Sequence, residues 1–268
     1  MFVSSRAPRP PVRKNPGVRR LETNYSSLVW SADGSQVTKS RPVGNDARRR
    51  YENEVRVNRL LNEHQPPVAT PRLLAADRRT RGLTFEAFPG EPIRPKYPSD
   101  LTPADIDTVL DLARALRRYN PPRRRWMRRL NTERRLGLAA RLGVLDPRDA
   151  DALTVLARKH HRRLRFAHGD LVVRNVLRDG TDVALIDWEW AGLYPAGYDD
   201  AILWFSLQDL EGGRARVEQA VAVDEVSFLL STLVIELWHL QWYISAEFRA
   251  RHVATRNELV HRLLGSSP

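Results

Sequence analysis

The stretch "HGDLVVRNVLRDGTDVALID", residues 168–187, is the part of the chain whose reading decides the fold. Asp170 is followed five residues later by Asn175, and 12 residues after that the apolar run "VALID" ends at Asp187. Between them Asp179-Gly180 marks a tight hairpin turn, which brings the loop carrying Asp170 and Asn175 back to the strand end carrying Asp187. Read singly, these are a turn residue, a cap and a strand-end acid. Read together they are the oxygen groups that phosphoryl transfer asks of a protein. Asp170 would orient a hydroxyl and take its proton, while Asn175 and Asp187 would hold a hard cation such as Mg²⁺.

Composition bounds the rest. A chain of 268 residues, 42 % apolar, can bury one large core or two lobes. It has no cysteine, so disulfides and thiolate-bound metals are excluded, and an intracellular setting follows more naturally than a secreted one. No apolar run approaches the ~18 residues of a membrane span, and the first 20 residues hold no signal-peptide core, so a cytoplasmic protein is expected. The formal charge of +12 rests on arginine: of 44 basic residues only Lys14, Lys39, Lys96 and Lys159 are lysines. Such charge suits an acidic partner such as nucleic acid, an acidic peptide or a phosphorylated ligand, or else a solvated arginine-rich surface.

Residues 1–18 hold three prolines before position 12, no acid and no periodic apolar face, and read as a disordered basic tail. "SLVW", "ADG" and "QVTKS" then read as strand, turn and strand, with Lys39 on the second strand. Apolar residues at helical spacing predict a helix from Asn45 to Glu63, and "RLLAA" and "LTFEAF" predict two more strands. The segment "FPGEPIRPKYPSD" reads as a linker, giving an N-terminal lobe over 19–90 and a C-terminal lobe over 91–268. Beyond it the chain is mainly helical, with starts at Thr102-Pro103 and Asp146-Pro147. The fold class expected is α+β: a small antiparallel-sheet lobe with one helix and a larger, mainly helical lobe.

"HGDLVVRN" followed by "LIDWEWAGLYPAGYDDA" closely resembles the catalytic-loop motif and metal-binding segment of the aminoglycoside phosphotransferase and choline kinase-like family, which shares the protein-kinase fold. The resemblance covers most of 25–245 and is tightest over 166–204. It implies that Asp170 is the catalytic base, that Asn175 and Asp187 hold Mg²⁺, that His168 buttresses the loop, and that Asp199 is structural. It also implies that a strand lysine holds the phosphates of ATP and is oriented by a helix glutamate. Lys39 matches the first, and Glu54 the second, with Glu52 as competitor. "TFEAF", residues 84–88, resembles the hinge that meets adenine, which brings in Glu86 and Phe88. The loop before "SLVW" lacks the phosphate-covering glycines of protein kinases, leaving Ser26 and Ser27 as the donors there.

The acceptor is less legible. Polycationic aminoglycosides require clustered carboxylates, whereas the run "RRYNPPRRRWMRRLNTERR", residues 117–135, interleaves arginine with Tyr119 and Trp126. Arg124, Arg128 and Trp126 are therefore candidate contacts for an anionic acceptor, although Asp209, Glu211 and Glu236 offer a local acidic pocket. Three functions stay open: an O-phosphotransferase acting on a small molecule, a kinase acting on a peptide with an acidic leader, and a non-catalytic nucleotide-binding module. Neither nucleic acid nor a membrane is favoured as a partner; Glu236-x-x-His239 reads as a capped or core-edge pair and His160-His161 as a solvated helix face, neither as a metal site.

Overall fold

A computed structural model of the protein describes residues 20–22, 27–40, 45–94, 98–242 and 246–265. The basic tail and Ser26 lie outside the described residues. The N-terminal part is an antiparallel sheet of β1 (Arg20–Glu22), β2 (Ser27–Trp30), β3 (Gln36–Ser40), β4 (Leu73–Asp77) and β5 (Gly82–Glu86), ordered β1-β2-β3-β5-β4. The β2–β3 turn is held by Asp33, whose carboxylate accepts bonds from the Ser31 and Ser35 side chains and the Ser35 N–H. Register places Lys39 in mid-sheet between Leu28 and Leu83.

One helix, α1 (Asn45–Glu63), crosses this sheet. Tyr51 packs with Leu73 and Leu83 in a small core, while Val57, Leu60 and Leu61 point into the main one. Because its apolar residues serve two cores, α1 is anchored to both parts of the molecule.

The expected linker is partly strand. β6 (Glu91–Pro92) pairs with β9 (Val176–Asp179), which forms the central hairpin with β10 (Asp182–Leu185). A Cβ on Gly90 would lie 2.5 Å from the Arg178 carbonyl, so the chain can approach that closely only with glycine there. Next comes α2 (Pro103–Arg118), which begins in a capping box: the Thr102 side chain accepts the Asp105 N–H at 3.2 Å, and Asp105 accepts the Thr102 N–H at 3.1 Å. Asp105 also pairs with Arg178 of β9, so one carboxylate starts the helix and ties it to the hairpin.

Around these lie β7 (Arg128–Arg129), α3 (Thr132–Arg141), α4 (Pro147–His160), β8 (Leu164–Ala167), β11 (Gly192–Pro195), α5 (Tyr198–Ser206), α6 (Gly213–Ala220), α7 (Glu225–Trp242) and α8 (Ala246–Leu264). β11 sits between β7, parallel to it, and β8, antiparallel. The centre of the large lobe is α7, which is apolar nearly all round; its Leu230, Leu233 and Leu237 are almost fully buried. Among the described residues no helix is long and apolar enough to cross a membrane.

The capping box gives a direct test of this junction. Thr102→Ala removes an accepting oxygen from the first turn of α2 and should lower the unfolding free energy by about 1 kcal/mol in urea titration. An unchanged midpoint would show that the cap carries none of the stability of the helix.

Candidate active site

β3 carries Lys39 to the inner face of the small lobe, where its ammonium meets two carboxylates. Nζ lies 2.8 Å from Glu54 Oε1 on α1 and 2.7 Å from Asp187 Oδ1 at the end of β10. Glu54 is 1 % exposed and Lys39 11 %, so neither charge is sheltered by water and each depends on the other. Glu52 instead pairs with Arg48 at the exposed surface, 2.9 Å away, which removes it as a partner for Lys39.

Beyond β8 the chain turns through His168, Gly169 and Asp170. Asp199, at the first turn of α5, accepts the backbone N–H groups of both His168 and Gly169 at 2.8 Å. Gly169 has φ +79, and a Cβ there would sit 2.5 Å from the Trp190 carbonyl oxygen, so the turn requires glycine on both counts. His168 is fully buried: Nδ1 accepts the Asp170 N–H at 3.3 Å, which places the ring proton on Nε2, and that group donates to the Ile186 carbonyl at 3.0 Å. Burial lowers its pKa to about 4, so it is neutral at ordinary pH. It meets Asp170 through the backbone N–H of that residue.

The Asn175 amide nitrogen donates to Asp170 twice, to the backbone oxygen at 2.9 Å and to Oδ2 at 3.2 Å. The Asn175 backbone carbonyl accepts the Ile186 N–H at 2.9 Å, fixing the loop against the end of β10. Asp187 then adopts left-handed backbone angles, φ 68 and ψ 55, uncommon for a residue with a side chain. This turn ends the strand and swings the carboxylate to Lys39.

Two residues on, Glu189 enters the same site. One carboxylate oxygen each from Glu54, Asp187 and Glu189 lie within 4.8 Å of one another, a spacing able to hold a metal ion. The 3-10 turn Trp188–Trp190 that presents Glu189 is gripped by α1: Asn53 donates to the carbonyls of Glu189 and Ala191 at 3.0 and 2.9 Å, and Arg50 lies 3.6 Å from Glu189 Oε1. Neither Glu189 nor Asn53 was among the expected site residues. The D-x-E spacing after "ALI" could have signalled Glu189, whereas Asn53 makes contacts 136 and 138 residues away that no local pattern announces.

A cleft of about 700 Å³ runs from Lys39 and Asp187 past Asp170 into the large lobe. Of the arginine face expected to meet the acceptor, Arg123, Arg124, Arg125, Arg128 and Arg129, the last two line it, and the Arg128 guanidinium lies 4.3 Å from the Trp190 ring centroid. Arg124 is exposed away from the cleft and Trp126 packs on the core, because the run 117–135 leaves the helix after Arg118 and passes through Pro121-Pro122 before β7. In the segment likened to a hinge, Glu86 pairs with Arg72 at 2.8 Å and Phe88 is half-buried; neither lines this cleft, nor does Ser27 on β2. The proposed acidic pocket does not form: Asp209 pairs with Arg251, Glu236 is buried against His252 at 2.6 Å, and Glu211 is exposed. His161 is buried between α3 and α7 on Thr132 and the Ser227 carbonyl, a structural place but not the solvated helix face expected of it.

The model of the phosphotransferase enzyme family (APH) matches residues 17–228. The chain belongs to that family. The phosphotransferase is also similar in structure to the ADP-bound aminoglycoside phosphotransferase APH(2'')-Ib, with 13 % identity, TM-score 0.63 and coverage of 94 % of this chain and 95 % of that one. A choline/ethanolamine kinase family protein from Mesorhizobium loti gives 14 % identity and TM-score 0.61 over 93 % of this chain and 88 % of that one. Choline kinase LicA from Streptococcus pneumoniae gives 12 % and 0.61 over 91 % and 93 %. At such identities the likeness is one of fold, the two-lobed α+β fold of kinase-like phosphotransferases. No curated protein matches the chain in sequence.

The loop's two buried titratable groups pull stability in opposite directions. His168, lowered from 6.5 to about 4, takes up a proton on unfolding in that window, so its contribution is lost as pH falls through it. Burial raises Asp199 to about 7, against the two N–H bonds that lower it; its contribution is present at low pH and lost as pH rises toward that value. Asp199→Asn removes the second effect alone. Its unfolding free energy should fall more steeply between pH 6.5 and about 4 than that of the parent. Equal slopes in denaturant titrations would contradict the raised Asp199, and a flat profile for the variant over this range would contradict neutral His168.

Proposed function

We propose that this phosphotransferase moves the γ-phosphate of ATP, with Mg²⁺, to a hydroxyl group of a small molecule. The observation that carries the reading is the junction of Lys39, Glu54 and Asp187 beside the loop that holds Asp170. Lys39, with Glu54 fixing its ammonium, would hold phosphate oxygens; a hard cation fits the donor set, which is all oxygen. Asp187, the Asn175 amide oxygen and Glu189 would hold it, the Asn175 nitrogen being turned to Asp170. When bound, Mg²⁺ supplies positive charge to the phosphate oxygens.

Asp170 would accept the hydrogen bond of the acceptor hydroxyl and then its proton as the bond from that oxygen to the γ-phosphorus forms and the bond from phosphorus to the bridging oxygen breaks, releasing ADP. Its carboxylate is held by Asn175 and its backbone by His168, so orientation is set before the acceptor arrives. The ADP-bound aminoglycoside phosphotransferase supports a nucleotide on this fold. The cleft volume of about 700 Å³ lies within the roughly 300–1,000 Å³ of small-molecule sites, which favours a compact acceptor over an extended peptide.

Asp170→Asn should lower phosphate transfer, or slow ATP hydrolysis with water as acceptor, by about 10²–10⁴-fold with MgATP affinity nearly intact. Asp187→Ala should abolish Mg²⁺-dependent nucleotide binding in calorimetry. MgATP bound as tightly by Asp187→Ala as by the parent would overturn the metal assignment, and full turnover by Asp170→Asn would overturn the base.

A further inference from the structure

The cleft carries far more cationic groups than the chemistry of phosphate transfer uses. Three carboxylates face it, Asp170, Asp187 and Glu189, and all belong to the catalytic group. Against them stand Lys39 and seven arginines. Lys39 is engaged by Glu54 and Asp187, and Arg50 by Asp46 and Glu189. Arg49, Arg128, Arg129, Arg134, Arg135 and Arg174 have no carboxylate partner among the described residues.

The position of the arginines on α3 shows what they face. Asn131, Arg134, Arg135 and Leu138 recur at 0, 3, 4 and 7 along that helix, so they share one face, and all four line the cleft. Where the arginines end, the wall becomes mainly apolar, with Ser206 and His239 as its polar members. Leu138 is followed around the cavity by Ile202 and Phe205 of α5 and by Val234 and Trp238 of α7, the last an aromatic ring 36 % exposed at the rim. Nucleotide phosphates account for the Lys39 end; they do not account for cations continuous with an apolar wall in the large lobe.

We infer that the acceptor is a hydroxyl-bearing small molecule with an anionic group, carboxylate, sulfate or phosphate, joined to an apolar ring-sized body. Arg129, Arg134 and Arg135 take the anion, and the α5–α7 face takes the body. The inference rests on the phosphotransferase reading above and deepens it. Arginine suits this task because its planar guanidinium can donate two parallel hydrogen bonds to one anion. A polycation is disfavoured twice, since among the described residues it meets cations without carboxylate partners and finds no lining carboxylate outside the catalytic three.

The test uses the full chain and three matched probes: a (hydroxymethyl)naphthoate, its carboxamide, and its aminomethyl analogue. Binding is followed by calorimetry and by the fluorescence of Trp190 and Trp238. The naphthoate should bind about 10-fold or more tighter than the carboxamide, as one sheltered charge-assisted contact implies, and the amine should bind weakest. Arg129→Glu with Arg134→Glu should erase that preference while MgATP affinity stays within about twofold; the Gln pair serves if the Glu pair does not fold. Equal binding of naphthoate and carboxamide, tighter binding of the amine, no naphthoate binding at millimolar concentration, or a preference that survives the arginine changes would each overturn the inference. An acidic, serine-containing peptide that displaces the naphthoate at lower concentration than the free naphthoate needs would overturn the choice of a small molecule. Loss of MgATP binding in the parent would count against the phosphotransferase reading alone, because the probes bind without nucleotide.

Discussion

One ammonium group between two carboxylates joins three elements that are far apart in the chain. Lys39 comes from the middle of the small sheet, Glu54 from the helix crossing it, and Asp187 from the end of a hairpin in the other lobe, 148 residues on. Separating a buried pair leaves an uncompensated charge and costs about 3–5 kcal/mol, so the sheet, the helix and the hairpin are held in one arrangement. Asn53 and Arg50 extend the same hold from α1 to the turn carrying Glu189. Groups fixed in this way need little reorganisation when phosphate arrives, which is how positioning contributes to rate.

The loop on the other side of the site is fixed through its backbone. His168 is buried and uncharged and accepts the Asp170 N–H, and Asp199 accepts the N–H groups of His168 and Gly169, so the turn that carries Asp170 is held at three successive residues. Asn175 adds a bond to the Asp170 carbonyl and another to its carboxylate.

Sequence reasoning reached far where chemistry lies on short local pieces. Asp170 and Asn175 share one loop, the Asp179-Gly180 turn forces the return to Asp187, and the Pro103 and Pro147 starts are written in cap residues; the structure has each of these local features. The fold class followed from the same signals. Contacts made by tertiary docking stayed out of sight: Asn53 on the Glu189 turn, Glu189 beside Glu54, and the face of α3 toward the cleft. The arginine run was misjudged for a physical reason. Residues 117–135 look like one basic surface in composition, but Pro121-Pro122 break it, so Arg124 faces solvent while Arg134 and Arg135, at its end on the first turn of α3, line the cavity.

The account stands on Lys39 and Glu54 acting as a single unit, and a double-mutant cycle on turnover measures that coupling directly. Lys39→Ala and Glu54→Ala should each lower kcat/KM for MgATP, and the double variant should lose little more than the worse of the two, because removing either partner already disables the other. Full additivity of the two losses would contradict the coupling, and with it the claim that this buried pair organises the site.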